Sequence, residues 1–299
     1  MNLLGDYARQ ALDRGRTVVA DGTVSLQIPA LGEVPADLFG IAVATLEGAE
    51  AAVGDAQKAF SLQSLSKLFA LCALLEVEPM AWEHIGWAPS DAGYGSVAEL
   101  ELHQGKPRNP FVNAGALVVT DRLIARTGDA AGAVCRLLEE LGGEQVGVDA
   151  TVARSETESD HRNRAIAHVL AEHGRLLHDV ETTLTQYFRQ CAIAASTTAL
   201  ARSALFLADR GRTFGPLDEA TVRRVNAVLL TGGMYGAAGD IAYRIGLPAK
   251  SGIGGGVLAI MPGSGAICAW SPPLDSTGNS RGGVVAIEEF ARLANWSVF

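Results

Sequence analysis

Two pairs of β-rich runs, one near each end of the chain, most constrain how this sequence can fold. Residues 38–54 hold two such runs joined by a Glu-Gly dipeptide at 47–48, a hairpin signal. Residues 255–272 hold two more, which flank a Pro-Gly-Ser turn at 262–264. The sequence between these ends is mostly helical in pattern. We therefore expect an α/β (α+β) fold with an antiparallel sheet built from both chain ends and a helical region inserted.

Helical periodicity and glycine stop signals predict the inserted helices. The predicted helices run from Phe111 to Thr127, from Glu156 to His173, from Glu181 to Arg210 and from Leu217 to Leu230, and a final helix covers about Val284 to Asn295. We expect a single domain, 1–299. Roughly 1–60 and 212–299 would form a sheet subdomain and 61–211 a helical subdomain. Sheet pairing between distant segments would make these one cooperative unit.

Composition and charge exclude several classes of partner. The chain has 299 residues, 48% of them hydrophobic, and a net charge of −9 without any basic stripe, which argues against nucleic acid. The longest apolar run, 68–75, is far shorter than the roughly 20 residues of a membrane span, and the N-terminus lacks a signal-peptide pattern. We expect a protein with no membrane contact.

The cysteines and histidines show no metal-ligand spacing. Cys72, Cys135, Cys191 and Cys268 stand far apart, three of them in apolar surroundings. This pattern is typical of free thiols in a reducing compartment, so we expect a cytoplasmic protein with no metal and no cofactor.

A serine and a lysine stand three residues apart at the head of an apolar segment. In "FSLQSLSKLFALCALLEV", Ser64 and Lys67 would share one face if Ser64 starts a helix. The lysine either reaches solvent or is retained for its chemistry. A desolvated lysine has a lowered pKa and can act as the base that a serine nucleophile needs. Alone, the pattern is weak, since it occurs by chance about once in such a chain.

A second motif strengthens the catalytic interpretation. Residues 249–262 read "AKSGIGGGVLAIMP", in which Lys-Ser-Gly precedes a glycine run and a predicted strand. Lys-Ser/Thr-Gly before a strand accompanies S-x-x-K in serine enzymes, where the strand edge supplies N–H groups to an oxyanion. The motif does not fit a phosphate-binding loop, because the lysine precedes the glycines and no helix follows. A plain glycine-rich turn stays open as the alternative.

Six ordered segments, spread over residues 60–280, give the sequence a resemblance to the serine-dependent glutaminases of the β-lactamase-like fold, and the resemblance extends over nearly the whole chain. They are "FSLQSLSK", "GKPRNPFVNAGA", "SETESDHRNRAIA", "YFRQCAI", "TGGMYGAAGDIAYRIGLPAKSGIGGG" and "SPPLDSTGNS". The resemblance implies hydrolysis of L-glutamine to L-glutamate and ammonia through an acyl-enzyme, without a metal, by a homodimer or homotetramer.

The resemblance also implies roles for individual residues. Ser64 would be the nucleophile, Lys67 its base and Tyr235 an aid to proton transfer, while the N–H groups of Ser64 and Ile253 would hold the oxyanion. The implied substrate-binding residues are Gln63, Asn113, Glu156, Asn163 and Tyr187, and we add Gln27 because it stands at the position of a substrate-contacting residue of the family.

The chemistry of these side chains suits free glutamine. A carboxylate such as Glu156 can pair with the α-ammonium, and amides and phenols can bind the carboxylate or the carbonyl. Each has an ordinary alternative: an isolated Glu is most often solvated, an Asn before a helix is most often a cap, and a Tyr is often half-buried.

Several positions depart from the family pattern. Gln27 stands where the family usually has a substrate-contacting tyrosine, Tyr94 replaces phenylalanine, Gly95 replaces asparagine and Gly236 replaces aspartate. Glutamine keeps hydrogen-bonding capacity but loses the aromatic ring. The departures favour two alternatives, an amidase or esterase acting on a related substrate, or a catalytically weak relative that binds an amino acid.

Overall fold

A five-stranded antiparallel sheet forms the middle of the molecule in a computed structural model that describes residues 3–299. The strand order is β3-β2-β9-β8-β7. The strands of this sheet are β2 (Gly40–Thr45), β3 (Glu50–Gly54), β7 (Ala249–Ser251), β8 (Gly256–Met261) and β9 (Gly265–Trp270). Pairing of β2 with β9, in which Ile41 faces Ala269, joins the two chain ends. Shorter strands are β1 (Thr23–Val24), β4 (Phe60–Ser61), β5 (Gly147–Val148), β6 (Ile193–Ala195) and β10 (Pro273–Leu274).

Helices cover both faces of this sheet. They are α1 (Leu3–Arg16), α2 (Ser66–Val77), α3 (Trp82–Ile85), α4 (Val97–Leu102), α5 (Asn113–Thr127), α6 (Ala130–Gly142), α7 (Ala150–Ser159), α8 (His161–Glu172), α9 (Val180–Cys191), α10 (Thr197–Ser203), α11 (Leu205–Ala208), α12 (Glu219–Gly232), α13 (Ala238–Arg244) and α14 (Arg281–Ala294). Within the described residues, no helix is both long enough and apolar enough to cross a bilayer.

The strands β2, β8 and β9 are buried on both faces, which explains their nearly continuous apolar sequences. Val43 and Ile267 pack in one cluster with residues of α1 and α14. Their neighbours Ala42 and Cys268 point the other way, into a larger cluster that includes α2. The result is a three-layer α/β/α arrangement, and the predicted fold class is confirmed.

Both predicted hairpins are confirmed, as are the helices that end at Thr127 and near the C-terminus. The division into subdomains at residues 60 and 212 stays a prediction. The helix predicted from Glu156 to His173 is wrong as one element, because α7 ends before Asp160 and α8 begins after it. The Asp160 carboxylate accepts a hydrogen bond from the Asn163 amide at 2.8 Å and so caps a new helix.

The helix predicted from Glu181 to Arg210 is also wrong. The chain leaves α9 after Cys191 and forms β6, which pairs with both β4 and β5. Ser196 then caps α10 by accepting a hydrogen bond from the Ala199 amide at 2.9 Å. Tertiary pairing therefore overrides a local helical pattern here, and the pairing brings Cys191 and Ser61 together, since Ser61 Oγ donates to the Cys191 carbonyl at 3.2 Å.

Candidate active site

Ser64 lies in a tight turn immediately before α2. Residues 63–65 form one turn of 3₁₀-helix, so α2 itself begins two residues later than the serine. Gln63 adopts a left-handed backbone, with φ of 50°, which is uncommon for a residue other than glycine and turns the chain sharply ahead of the serine. Ser64 is half-buried and lines a cavity of about 740 Å³.

Lys67 does not reach solvent. Its side chain is 1% exposed because α2 is apolar on every side and packs inside the larger core. Its Nζ donates to Asn113 Oδ1 at 2.6 Å and to the Phe111 carbonyl at 3.2 Å. Burial lowers the pKa of Lys67 to about 8, against the opposing effect of nearby Cys191 and Glu156. A lysine with this pKa is partly neutral near physiological pH, which a base must be.

Tyr235 connects Ser64 to the strand β7. Its hydroxyl donates to the Ser251 carbonyl at 3.2 Å and also hydrogen-bonds the side chain of Ser64. Burial raises the pKa of Tyr235, so the phenol stays protonated. Its φ of 55° lies in the left-handed region, a conformation that costs an aromatic residue about 1 kcal/mol or more.

A second buried lysine stands beside this tyrosine. Lys250 is fully buried, and its Nζ donates to the Ser251 carbonyl at 2.6 Å and lies 4.4 Å from the centre of the Tyr235 ring. Burial lowers the pKa of Lys250, and the charge of Lys67 lowers it further. Two lysines that disfavour each other's charge therefore flank the Ser64–Tyr235 pair.

The glycines after Lys250 let the β7–β8 turn lie directly against the Ser64 turn. A Cβ atom on Gly252 would overlap the Leu62 carbonyl oxygen and lie 3.2 Å from the Ser64 amide nitrogen. A Cβ atom on Gly254 would overlap the Ser61 carbonyl oxygen. Only glycine allows backbones to approach so closely. Ile253, between them, is thereby carried to the wall of the cavity.

The structure brings the ten predicted site residues together around one cavity of about 740 Å³. Eight of them line it: Gln27, Gln63, Ser64, Asn113, Glu156, Asn163, Tyr187 and Ile253. The other two, Lys67 and Tyr235, lie behind the wall and join it by the hydrogen bonds to Asn113 and Ser64.

Glu156 is a buried carboxylate, and no basic side chain among residues 3–299 forms an ion pair with it. It is 2% exposed, and the Gln63 amide nitrogen lies 3.4 Å from Oε2. Burial, reinforced by the nearby charge of Asp160, raises the pKa of Glu156 to about 8. A positively charged group of a ligand could form an ion pair with this carboxylate in the cavity wall.

A chain of amides connects the wall of the cavity to Lys67. Asn113 accepts from Lys67 through Oδ1 and donates through Nδ2 to Asn163 Oδ1 at 2.8 Å. Asn163 in turn donates through Nδ2 to the Asp160 carboxylate. Tyr187 is buried beside this chain, hydrogen-bonded to Cys191, and burial raises its pKa. The orientation of each amide is therefore set by its neighbours.

Tyr94, which the sequence marked as a departure from the family pattern, lines the cavity. Sequence reasoning missed other residues of the lining, among them Asp160, Arg162 and Cys191. Of these, only Asp160 carried a local signal, since an Asp three residues before Asn163 reads as a helix N-cap. Gln27 lies at the exposed rim, where its Nε2 donates to the Tyr94 hydroxyl at 3.3 Å.

Comparison with known proteins shows which family the chain resembles. A family model described as Glutaminase matches residues 22–299. A glutaminase of Streptomyces coelicolor is 49% identical over 277 residues, covering 91% of this chain and 90% of that protein.

Two solved structures share the fold over nearly their whole length. The probable glutaminase ybaS has a TM-score of 0.90 and 35% identity, covering 98% of both chains. A probable glutaminase from Bacillus subtilis complexed with 6-diazo-5-oxo-L-norleucine has a TM-score of 0.86 and 31% identity, covering 99% of this chain and 96% of that one. The protein belongs to the glutaminase family.

Proposed function

We propose that this protein hydrolyses L-glutamine to L-glutamate and ammonia through an acyl-enzyme on Ser64. The observation that carries the proposal is the pairing of Ser64 with Tyr235 and a buried Lys67 at a cavity whose wall holds the buried Glu156 carboxylate. Family membership supports it. So does the relative whose ligand, 6-diazo-5-oxo-L-norleucine, is an amino acid with a reactive group in place of the carboxamide.

Recognition rests on the two charged groups of a free amino acid. The α-ammonium would pair with Glu156, which is buried in the cavity wall. The α-carboxylate would accept hydrogen bonds from Asn163 and Tyr187, and Asn113 would link it to Lys67. Gln63 and Gln27 would contact the substrate from the serine turn and the rim.

The acylation step begins with loss of the Ser64 proton. Neutral Lys67 is the base that takes this proton, and the Tyr235 hydroxyl, held at the Ser251 carbonyl, interacts with Ser64 and aids the transfer. Ser64 Oγ then bonds to the carboxamide carbon, and the amide N–H groups of Ser64 and Ile253 hold the oxyanion. The proton returns to the nitrogen, and ammonia leaves as the C–N bond breaks.

The second half of the reaction releases glutamate. Lys67, aided by Tyr235, takes a proton from a water molecule, whose oxygen bonds to the carbon of the glutamyl ester. Collapse of that intermediate breaks the bond to Ser64 Oγ, which recovers its proton.

We also propose that the protein works in the cytoplasm as a homodimer or homotetramer. Its four cysteines are free thiols, as is usual in reducing compartments. Large apolar side chains such as Trp87, Leu102 and Leu177 are exposed, which suits burial between copies of the chain.

Ammonia release from L-glutamine by the purified protein tests the function. We expect release from L-glutamine, slower release from L-asparagine by about 10- to 100-fold because it is one methylene shorter, and none from a five-carbon amide lacking the α-ammonium. Absence of release at millimolar glutamine would contradict the proposal. Release from the amide without the ammonium would favour the alternative of an amidase on a related substrate, which Gln27 at the rim suggests.

A further inference from the structure

Tyr94 makes three contacts that together link the rim of the cavity to its reactive centre. Its ring centre lies 4.7 Å from that of Tyr235, with the planes tilted by 43°. Its backbone carbonyl oxygen accepts a hydrogen bond from the backbone N–H of Asn113 at 2.8 Å. Its hydroxyl accepts from Gln27 at 3.3 Å. None of the reaction steps above uses this residue.

The contact with Gln27 joins two segments that are 67 residues apart in sequence. The Tyr94 oxygen also lies 3.5 Å from Gln27 Oε1, so the amide can serve as donor or acceptor after a rotation. Gln27 is exposed and Tyr94 half-buried, which places the bond on the solvent side of the cavity they line. A bond between exposed groups is weak enough to open and close readily.

A second contact joins the Tyr94 ring to the ring of Tyr235, a residue whose own backbone is strained. Tyr235 has the strained left-handed φ described above, and a Cβ atom on Gly236, its neighbour, would meet nothing within 4 Å. The Tyr235 ring packs against Tyr94 on one side, Lys250 Nζ lies 4.4 Å from its centre, and its hydroxyl bonds the Ser251 carbonyl. Loss of the Tyr94 ring would free Tyr235 to move away from Ser64.

We propose that Tyr94 is a positioning residue: its ring holds Tyr235 against Ser64, while its hydroxyl, bonded to Gln27, latches residues 90–96 at the rim of the cavity. The proposal rests on the proposed glutaminase function. The latch opens to admit the amino acid, and its closing returns the ring to Tyr235. Ring and hydroxyl therefore have separable effects, the ring on turnover and the hydroxyl on substrate binding.

Steady-state kinetics of four variants and one control variant separate the two effects. We expect Tyr94→Ala to lower kcat by about 10-fold or more, because the phenol that aids transfer of the Ser64 proton loses its support. Tyr94→Phe and Gln27→Leu should each raise KM about 3- to 10-fold with kcat within about 2-fold, and the double variant should match either single one. Tyr243→Phe, at a tyrosine that is 90% exposed, is the control and should change neither constant.

Hydrogen exchange provides a readout that needs no turnover. The amides of residues 90–96 should exchange faster in Tyr94→Phe and Gln27→Leu than in the unaltered protein and in Tyr243→Phe. An unaltered kcat in Tyr94→Ala, fully additive effects of the two latch variants, or unchanged exchange would each overturn the proposal. If the unaltered protein released no ammonia, the glutaminase function would fail by itself and exchange would still decide the latch.

Discussion

Lys67 and Asn113 form a 2.6 Å hydrogen bond in a region where the lysine is almost completely shielded from solvent. The same asparagine bonds Asn163 in the wall of the cavity. The proposed base and the proposed amino-acid site are therefore parts of one network, and a ligand that reorients Asn113 would be felt at Lys67.

The catalytic efficiency should rise with pH through about 8 and level off above it. Lys67 can accept a proton only when neutral, and burial lowers its pKa to about 8 from an ordinary value of 10.5. At pH 7, roughly a tenth of the molecules would carry the neutral lysine. Measurement of kcat/KM between about pH 6 and 9 checks this. The value should be low near pH 6, where Lys67 is almost fully protonated, and should approach a plateau near pH 9.

Variants of two lysines show whether Lys67 causes that profile. Lys67→Met should lower kcat by about 10³-fold or more. Lys58→Met, which changes an exposed lysine bound only to Asp55, should keep the profile of the unaltered protein. A flat profile, or near-normal kcat in Lys67→Met, would show that another group is the base.

Replacement of Glu156 by glutamine should weaken the enzyme and stabilise the fold. Loss of the charge that pairs with the α-ammonium should lower kcat/KM by about 100-fold, or roughly 3 kcal/mol. On folding, the pKa of Glu156 rises from 4.5 to about 8. As the pH increases, the Glu156 carboxyl group therefore ionises in the unfolded chain at a lower pH than in the folded protein. The carboxylate therefore destabilises the native state increasingly as the pH rises through this window, and glutamine removes that effect.

Thermal melting at two pH values measures the stability change. We expect Glu156→Gln to raise Tm by a few degrees, about 2–5 °C, at pH 8, and to change it little at pH 4.5. Glu158→Gln, at an exposed position on the same helix, is the control and should leave Tm unchanged at both pH values. Equal melting of Glu156→Gln and the unaltered protein at pH 8 would mean that Glu156 has a cationic partner in solution.

Gly252→Ala should damage both stability and turnover. The added methyl group would overlap the Leu62 carbonyl and push the β7–β8 turn away from the Ser64 amide. We expect a loss of about 1–3 kcal/mol in the free energy of unfolding and a kcat reduced by more than about 10-fold.

A matched glycine provides the contrast. Gly239, in α13, has nothing within 4 Å of an added Cβ atom. Gly239→Ala should stabilise the protein by about 0.5–1 kcal/mol because alanine is the better helix former, with kcat unchanged. Chemical denaturation and steady-state assays of both variants give these quantities. Similar behaviour of the two variants would contradict the close approach of the turns.

Local patterns predicted the features that depend on neighbouring residues. The hairpins at 38–54 and 255–272 and the helix stop at Gly128 follow from turn residues and periodicity, and the structure contains them. Membership of the glutaminase family, predicted from six ordered segments, is confirmed by the family match over residues 22–299.

Features decided by distant parts of the chain could not be read from the sequence. The segment 191–196 has a helical pattern, yet it pairs with β4 and β5 once the core forms. Nothing near Gln27 indicates that its partner is Tyr94, because this contact depends on how two loops are carried to one rim. The burial of Glu156, and hence its raised pKa, likewise depends on packing across several elements.

The role of Ser64 is the central claim, and ammonia release by Ser64→Ala tests it most directly. Ser276→Ala, at an exposed serine outside the cavity, is the matched control. We expect Ser64→Ala to release ammonia from L-glutamine at least about 10³-fold more slowly than the unaltered protein, with Tm preserved, and Ser276→Ala to keep full activity. Comparable rates for Ser64→Ala and the unaltered protein would contradict a serine acyl-enzyme at this site.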